Sequence, residues 1–298
     1  MIIGRCELDG RVLIARIEGD LAVPVAEAGP LTVLDVDTHR HAAPIADPVP
    51  IADPRWLSPL DPPSLRDFMA FEQHYRNIRE KQGLEVEPMW FERPCFYFNN
   101  HNEITAHDQD IPVPRGSRAM DYELEIAAII GKPGRDLDPR DPATLDHIAG
   151  FTIYNDWSAR DLQTRDMRHQ LGPGKGKDYA NSLGPWMITP DELPDFATGR
   201  PGGAMTARVN GEEWSAGDSK DIYWSWGDIL AYGSANATLR PGDVLGSGTC
   251  GTGCILELRA AGLRDTRKWL RAGDVVEIGW APVGTLRNRV VEGNPAPF

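Results

Sequence analysis

Two glutamates, Glu123 and Glu125, stand one residue apart in the stretch MDYELEIAAIIG at residues 120–131. Side chains along a β-strand alternate between its faces, so the pattern predicts that both carboxylates share one face. One interpretation is a half-buried strand with a solvated face. The apolar run AAII that follows is instead typical of a strand covered on both faces, where paired carboxylates repel each other and lose hydration. The alternative interpretation is therefore a metal site.

A third acid, Asp156, ends the predicted strand GFTIYND at residues 150–156. If this strand lies beside the one that carries the glutamates, Asp156 completes a set of three carboxylates. Carboxylate oxygens with water suit a hard divalent ion such as Mg2+ or Ca2+, and a set without histidine or thiolate suits zinc poorly. The alternative for Asp156 is an aspartate that only caps a turn.

The segment SLRDFMAFEQHYRNIREKQG, at residues 64–83, has the pattern of one helix. Ser64 is a candidate cap, Asp67 occupies the capping-box position, and Gly83 is a stop signal. Asp67 and His74 are seven residues apart, which on a helix places them on one face about 10 Å apart. A metal ligand and an imidazole at that spacing would make a workable site. The alternatives are a capping aspartate and a surface histidine.

Two glycine-rich stretches have features of phosphate-binding loops. GSGTCG at residues 246–251 fits G-x-G-x-x-G, but the CILELRA that follows has a strand pattern where a dinucleotide site needs a helix. GPGKGKD at residues 172–178 lacks the required spacing and the Ser or Thr after its lysine. Neither stretch predicts a nucleotide site, although both offer backbone N–H groups to an anion.

The remaining patterns predict a mainly β protein of the α+β class. Asp9-Gly10 is a hairpin signal inside a small β unit over residues 1–35, and a proline-rich stretch follows at residues 41–64. Strands separated by turn clusters dominate from residue 120 onward. WSWGDILAYGSAN, at residues 224–236, is a further predicted helix.

Composition limits the partners. The chain has 298 residues and a net charge of -13, which disfavours nucleic acid and anionic membranes. No apolar run reaches the roughly 20 residues of a spanning helix, and the N-terminus lacks a signal-peptide layout, so we expect a cytoplasmic protein. The four cysteines have no metal-site spacing and are expected to be reduced.

Four stretches, taken together, resemble the fumarylacetoacetate hydrolase family. They are DYELEIAAIIGK (121–132), NDWSARDLQ (155–163), LGPGKGKDYANSLGPW (171–186) and LRPGDVLGSGT (239–249), followed by GCILEL. The resemblance implies a mixed β-roll catalytic domain over residues 63–298, after a small N-terminal β domain and Pro-rich linker over residues 1–62. It also implies a homodimer that depends on Mg2+, with Ca2+ or Mn2+ as alternatives.

The resemblance also implies roles for individual residues. RDFMAFEQH is similar to the family's D-F-Y-x-x-x-Q-H stretch, so the implied metal ligands are Asp67, Glu123, Glu125 and Asp156. The same stretch makes His74 the catalytic histidine, with Glu257 as its partner. The implied residues at the developing oxyanion are Lys177, Arg160 and Gln163, and those that bind substrate are Tyr97, Gly248 and Thr249.

The function that the resemblance implies is hydrolysis of a C–C bond in a 1,3-diketo acid, such as an acylpyruvate from aromatic catabolism. Met69 and Met167 stand where the family has tyrosines, which argues against fumarylacetoacetate itself as the substrate. A hydratase, lyase, isomerase or decarboxylase of 2-oxo acids could use the same metal platform. A non-catalytic binding protein is disfavoured because the acids, the histidine and the lysine are all present.

Overall fold

Strands make up most of the regular structure, which confirms the predicted mainly β (α+β) class. The computed structural model describes residues 1–29, 34–260 and 268–294. The strands are β1 (Ile2–Leu8), β2 (Arg11–Glu18), β3 (Leu21–Glu27), β4 (Val49–Pro50), β5 (Arg55–Trp56), β6 (Leu65–Phe68), β7 (Phe96–Asn99), β8 (Ile104–Thr105), β9 (Asp110–Pro112), β10 (Met120–Asp121), β11 (Glu125–Ile130), β12 (Gly134–Arg135), β13 (Ile148–Asp156), β14 (Ser158–Ala159), β15 (Asn181–Ile188), β16 (Ala204–Val209), β17 (Glu212–Asp218), β18 (Thr238–Leu239), β19 (Val244–Gly246), β20 (Val275–Trp280) and β21 (Gly284–Val291). The helices are α1 (Val36–Arg40), α2 (Glu72–Lys81), α3 (Arg160–Asp166), α4 (Trp226–Ser234) and α5 (Ile255–Ala260).

A large mixed sheet of 12 strands carries the site. Its main order is β4-β3-β2-β1-β15-β13-β11-β19-β6-β7, with β5 beside β1 and β8 beside β15. Its pairs are antiparallel except β19 with β6 and β15 with β8. A second sheet has the order β17-β16-β20-β21-β9.

Strand β11 is covered on both faces, as its apolar run predicted. Ile126, Ala128 and Ile130 belong to the core between the two sheets. Ala127 and Ile129 belong to a second core on the opposite face, together with side chains of the N-terminal strands. The alternation of side chains along β11 therefore divides its residues between two hydrophobic cores.

The N-terminal strands continue the large sheet. The predicted hairpin is confirmed, since β1 pairs with β2 and both Asp9 and Gly10 have positive φ, as a tight hairpin turn requires. Strand β1 also pairs with β15 of the central sheet. Because the sheet is continuous across residue 62, the division of the chain into two domains stays a prediction.

The single helix predicted over residues 64–83 is wrong in its first half. Leu65–Phe68 is strand β6, which pairs with β19 on one side and β7 on the other, and all four of its residues are buried. These long-range pairings override the local helix pattern. The helix, α2, begins at Glu72 and ends as predicted just before Gly83, whose φ is +69°. Asp67 therefore caps no helix and shares no helix face with His74.

The predicted strand CILELRA is also wrong, because residues 255–260 form helix α5. Asp121 caps the start of this helix, because its carboxylate accepts the N–H groups of Ile255 at 2.7 Å and Leu256 at 3.0 Å. An acid that caps a helix from this distance in the chain leaves no trace in the local pattern. A helix does follow the glycine-rich stretch, but that stretch packs on this chain's own side chains, since a Cβ at Gly246 would collide with Asp67 Oδ1.

The other predicted helix is confirmed as α4, which begins after a capping box formed by Ser225 and Asp228. In the described ranges, no helix combines the length and the apolar character needed to cross a membrane. The four cysteines have free thiols, and Cys95 alone among them is exposed.

Candidate active site

Four buried carboxyl groups meet at neighbouring strands of the large sheet. One oxygen from each of Asp67, Glu123, Glu125 and Asp156 lies within 4.8 Å of the others. Asp67 comes from β6, Glu125 begins β11, and Asp156 ends β13. Glu123 lies just before β11, because the predicted strand over residues 120–131 is interrupted at residues 122–124. The two glutamates nevertheless share one location, as the alternation predicted.

Strand pairing brings these acids together. Strand β11 pairs with β13 so that Glu125 lies opposite Tyr154, two residues before Asp156. Gly246 of β19 is paired with Asp67 on one side and with Ala127 on the other. Because Gly246 has no side chain, the Asp67 carboxylate can lie over β19 and reach the glutamates.

The four carboxyl groups fit a hard divalent cation. Glu125 Oε2 is buried and has no hydrogen-bond partner among the described residues, which is a costly state for a polar atom. Burial and the neighbouring carboxylates raise the pKa of Glu125 well above its ordinary value. Burial and Asp156 likewise raise the pKa of Asp67 to about 7. A cation held by these oxygens would satisfy the free acceptor and favour the ionised acids.

Glu123 differs from the other acids because two cations hold it. Burial raises the pKa of Glu123, but the charges of Lys177 and Arg160 outweigh burial and bring it well below its ordinary value. Lys177 Nζ contacts Glu123 Oε2 and donates to Asp156 Oδ2 at 2.7 Å. Arg160 donates to Glu123 Oε1 and to Asp121 Oδ2, each at 2.8 Å. Two of the three predicted oxyanion residues, Lys177 and Arg160, therefore lie at the carboxylate centre with their charges paired, and the third, Gln163, accepts a hydrogen bond from Arg160 at 3.1 Å.

The three predicted substrate-binding residues also contact the acids. The Tyr97 hydroxyl donates to Asp67 Oδ2 at 2.8 Å and contacts Asp156 Oδ2. The Gly248 N–H lies 3.2 Å from Asp67 Oδ1, and Thr249 Oγ1 lies 3.2 Å from Glu125 Oε1. Gly248 has a φ of +77°, and a Cβ there would collide with the Phe68 carbonyl oxygen, so the position requires glycine.

His74 and Glu257 form a buried pair beside this centre. His74 Nδ1, on α2, lies 2.8 Å from Glu257 Oε2, on α5. The other oxygen, Oε1, accepts Asn77 Nδ2 at 2.6 Å and the Thr252 N–H at 2.7 Å. The Cys254 thiol lies 3.8 Å from Oε2. These contacts fix the Glu257 carboxylate, which in turn orients the His74 imidazole. The contact uses Nδ1, so Nε2 is the ring nitrogen that lies outside this pair.

A cavity of about 180 Å³ joins the histidine to the carboxylates. The predicted site residues that line it are Asp67, His74, Tyr97, Glu123, Arg160, Gln163, Lys177, Gly248 and Thr249. The remaining three stand behind the wall and contact a lining residue: Glu125 contacts Thr249, Asp156 contacts Lys177, and Glu257 contacts His74. The structure thus brings every predicted site residue to one place.

Two residues of this site were missed. Asp121 holds Arg160 and caps α5, and its position two residues before Glu123 continues the same alternation, so the pattern contained the signal. Asn77 holds Glu257 from a position three residues after His74, on the same face of α2. The spacing of His74 and Asn77 indicates this shared face once α2 is known to begin at Glu72.

Comparisons with known proteins identify the fold and the family. The family model for the fumarylacetoacetate (FAA) hydrolase C-terminal domain matches residues 64–291. The chain is 31% identical over 285 residues to the fumarylacetoacetase of Oryza sativa subsp. japonica, covering 76% of this chain and 66% of that protein. It is 28% identical over 292 residues to a 2,4-didehydro-3-deoxy-L-rhamnonate hydrolase of a Sphingomonas species, covering 97% and 92%. A crystal structure of 5-carboxymethyl-2-hydroxymuconate delta-isomerase from Mycobacterium smegmatis matches with a TM-score of 0.73 and 26% identity, covering 98% and 100%.

The chain is thus a mainly β protein with four buried acids at its large mixed sheet. The chain belongs to the fumarylacetoacetate hydrolase family, as its motifs predicted, and its fold is of that type. It spans just under two thirds of the rice relative, 66% of that protein's length. The relatives include hydrolases and an isomerase, so the family does not fix the reaction.

Proposed function

We propose that this protein is a divalent-metal-dependent hydrolase that cleaves a C–C bond in a 1,3-diketo acid, either an acylpyruvate or a compound like fumarylacetoacetate. The observation that carries the proposal is the 2.8 Å contact between His74 Nδ1 and Glu257 Oε2 at the wall of the carboxylate cavity. Hydrolysis needs a base for water next to a binding site for the oxo acid, and this pair supplies the base.

The proposed metal ligands are Asp67, Glu123, Glu125 and Asp156, and the proposed ion is Mg2+, with Ca2+ or Mn2+ as alternatives. The free acceptor Glu125 Oε2 and the all-oxygen donor set support a hard cation. When bound, such an ion polarises the oxo-acid end of the substrate as a Lewis acid.

His74 acts as the general base in this proposal. Its Nδ1 is held by Glu257, so Nε2 takes the proton from water, and Glu257 stabilises the imidazolium that forms. Water adds across the broken bond: the hydroxyl goes to the acyl carbon and the proton to the departing carbon. An acylpyruvate thus gives a carboxylic acid and the 2-oxo acid pyruvate, whereas a compound like fumarylacetoacetate gives a carboxylic acid and a 3-oxo acid, and both reactions balance.

Lys177, Arg160 and Gln163 provide the donors for negative charge that develops on the attacked carbonyl oxygen. The two cations are already held in place by Asp121, Glu123 and Asp156, so little reorganisation is needed during the reaction. Tyr97, Gly248 and Thr249 are proposed to contact the bound acid.

The test is hydrolysis of acylpyruvates with Mg2+, followed by loss of the enol absorbance. We expect His74→Ala to lower kcat by about 10²–10⁴-fold, the usual contribution of a general base. The matched control is His101→Ala, since His101 is exposed and outside the cavity. Hydrolysis that persists unchanged in His74→Ala would overturn the proposal, and so would a failure of the protein to consume either acylpyruvates or fumarylacetoacetate.

A second candidate is an isomerase, hydratase, lyase or decarboxylase of 2-oxo acids on the same centre. The similarity to a crystal structure of an isomerase over 98% of this chain supports it. Such a reaction does not require His74 to activate water. In His74→Ala, isomerisation or decarboxylation of a 2-oxo acid would therefore persist while hydrolysis is lost. The homodimer, a small oxo acid as the partner, and a cytoplasmic location stay predictions.

A further inference from the structure

The cavity beside the carboxylate centre is lined by two chemically different sets of side chains. The polar set contains the acids, the histidine and the two cations, together with the uncharged residues Gln82, Gln163 and Thr164. The apolar set, called the apolar lining below, consists of Phe68, Met69, Ile78, Met167 and Leu256. Phe68 is buried and Met167 is 55% exposed, so the apolar lining includes both an interior and a surface position.

The two cations in the lining of the cavity already have carboxylate partners. Arg160 is paired with Asp121 and Glu123, and Lys177 with Glu123 and Asp156. Among the described residues that line the cavity, these are the only lysine and arginine. A second substrate carboxylate against the apolar lining would lose hydration without gaining a counter-ion from the described residues that line the cavity.

Exposed apolar side chains, mixed with polar and charged ones, also lie outside the cavity. Tyr97 and Lys177 also line a neighbouring open cleft, where Phe98 and Leu171 are 68% and 92% exposed. The other lysine of that cleft, Lys175, is in contact with Asp178. Large exposed apolar side chains beside a polar centre are typical of ligand-binding clefts.

We propose that this site selects 2-oxo or diketo acids whose distal acyl group is uncharged and apolar, and that Met69 and Met167 line the subsite for that group. The inference rests on the proposed function, because the carboxylate centre must hold the oxo-acid end. Methionine side chains are flexible and adapt to different shapes, so both alkyl and aryl groups fit. Each methylene that the subsite buries strengthens binding by about fourfold.

The experiment compares two acylpyruvates of equal chain length on the Mg2+-loaded protein, one ending in a methyl group and one ending in a carboxylate. We expect kcat/KM to favour the methyl-ended substrate by at least about tenfold, because the charged end must be desolvated. Equal or better cleavage of the carboxylate-ended substrate would overturn the inference.

The variant Met167→Arg adds a cation at the cavity mouth, and we expect it to reduce the preference for the methyl-ended substrate by about tenfold or more. Met89→Arg is the matched control, since Met89 is 57% exposed and lies outside the cavity lining. If Met167→Arg and Met89→Arg both keep the wild-type preference, the assigned subsite is wrong.

Calorimetry separates this inference from the proposed reaction. Simple 2-oxo acids with a methyl-ended or a carboxylate-ended tail are titrated into the Mg2+-loaded protein, which requires no cleavage. Tighter binding of the methyl-ended acid by a protein that cleaves no acylpyruvate would sustain the subsite and end the hydrolase proposal. Equal binding of the two acids, or tighter binding of the carboxylate-ended one, would end the subsite instead.

Discussion

Glu125 Oε2 combines full burial, three acidic neighbours and the lack of a hydrogen-bond partner in the described part of the chain. The cost of that arrangement is visible in the raised pKa of the Glu125 carboxyl. A group whose ionised form is disfavoured in the folded state lowers stability at any pH where the unfolded chain ionises it. Without a cation, the folded protein is therefore less stable near pH 7 than its packing alone would make it.

Glu125→Gln should consequently separate stability from metal binding. The amide keeps the shape of the side chain and removes the charge, so we expect the Tm of the metal-free variant at pH 7 to rise by roughly 2–4 °C, as for about 1 kcal/mol. We also expect Mg2+ affinity to fall by more than about 100-fold, because a direct ligand should matter at least as much as a supporting residue. Differential scanning and titration calorimetry measure the two effects.

Glu80→Gln is the control for this change, since Glu80 is exposed on α2. It should alter neither quantity. A Glu125→Gln protein that binds Mg2+ like the wild type would show that Glu125 is not a ligand.

The sequence predicted the site residues better than it predicted the helices and strands that carry them. The shared location of Glu123 and Glu125 followed from alternation alone, whereas the pattern left Asp156 open between a place beside them and the cap of a turn. Asp67 lies with these acids, but on strand β6 rather than on the predicted helix, because a local pattern does not contain the pairing of β6 with β19. Glu257 was found only through the family resemblance.

Among the elements, α5 depends on a distant residue. The Asp121 carboxylate accepts two N–H groups of the first turn of α5 and also binds Arg160. The same helix carries Glu257, the partner of the proposed base His74. The Asp121 carboxylate therefore links the start of α5 to Arg160, a proposed oxyanion residue. A change at Asp121 should therefore affect both stability and catalysis.

For Asp121→Ala we expect a loss of about 3–5 kcal/mol in the free energy of unfolding, because Arg160 loses one partner of a buried ion pair and α5 loses its cap. Urea denaturation measures the loss. Asp53→Ala is the control, since Asp53 is exposed. A variant as stable as the wild type would show that α5 forms without this cap.

For the whole molecule, we expect the two cores on either side of β11 to make unfolding cooperative. The core on the N-terminal side contains Ile14 and Val23 from the hairpin unit together with Leu183 and Met187 from β15. Unfolding the N-terminal strands alone would expose those central side chains to water. We therefore expect the described parts of the chain to unfold together.

Ile14→Ala tests this coupling, because Ile14 is fully packed in that core. We expect a loss of about 2–5 kcal/mol in stability, with one calorimetric transition that moves to lower temperature. Two separate transitions, with the variant shifting only the first, would instead support independent domains over residues 1–62 and 63–298. Leu21→Ala, at an exposed position of β3, is the control.

The alternation along β11 has one more consequence, for errors in folding. A slip of one residue against β13 would move Glu125 to the face now occupied by Ile126 and Ala128, and would send those apolar side chains toward the acids. The Glu125 carboxyl group would then enter the hydrophobic core without a counter-charge or a hydrogen-bond partner. The alternation that places Glu125 beside the other acids therefore also disfavours misaligned pairing, so this residue helps to specify the register of β11 during folding.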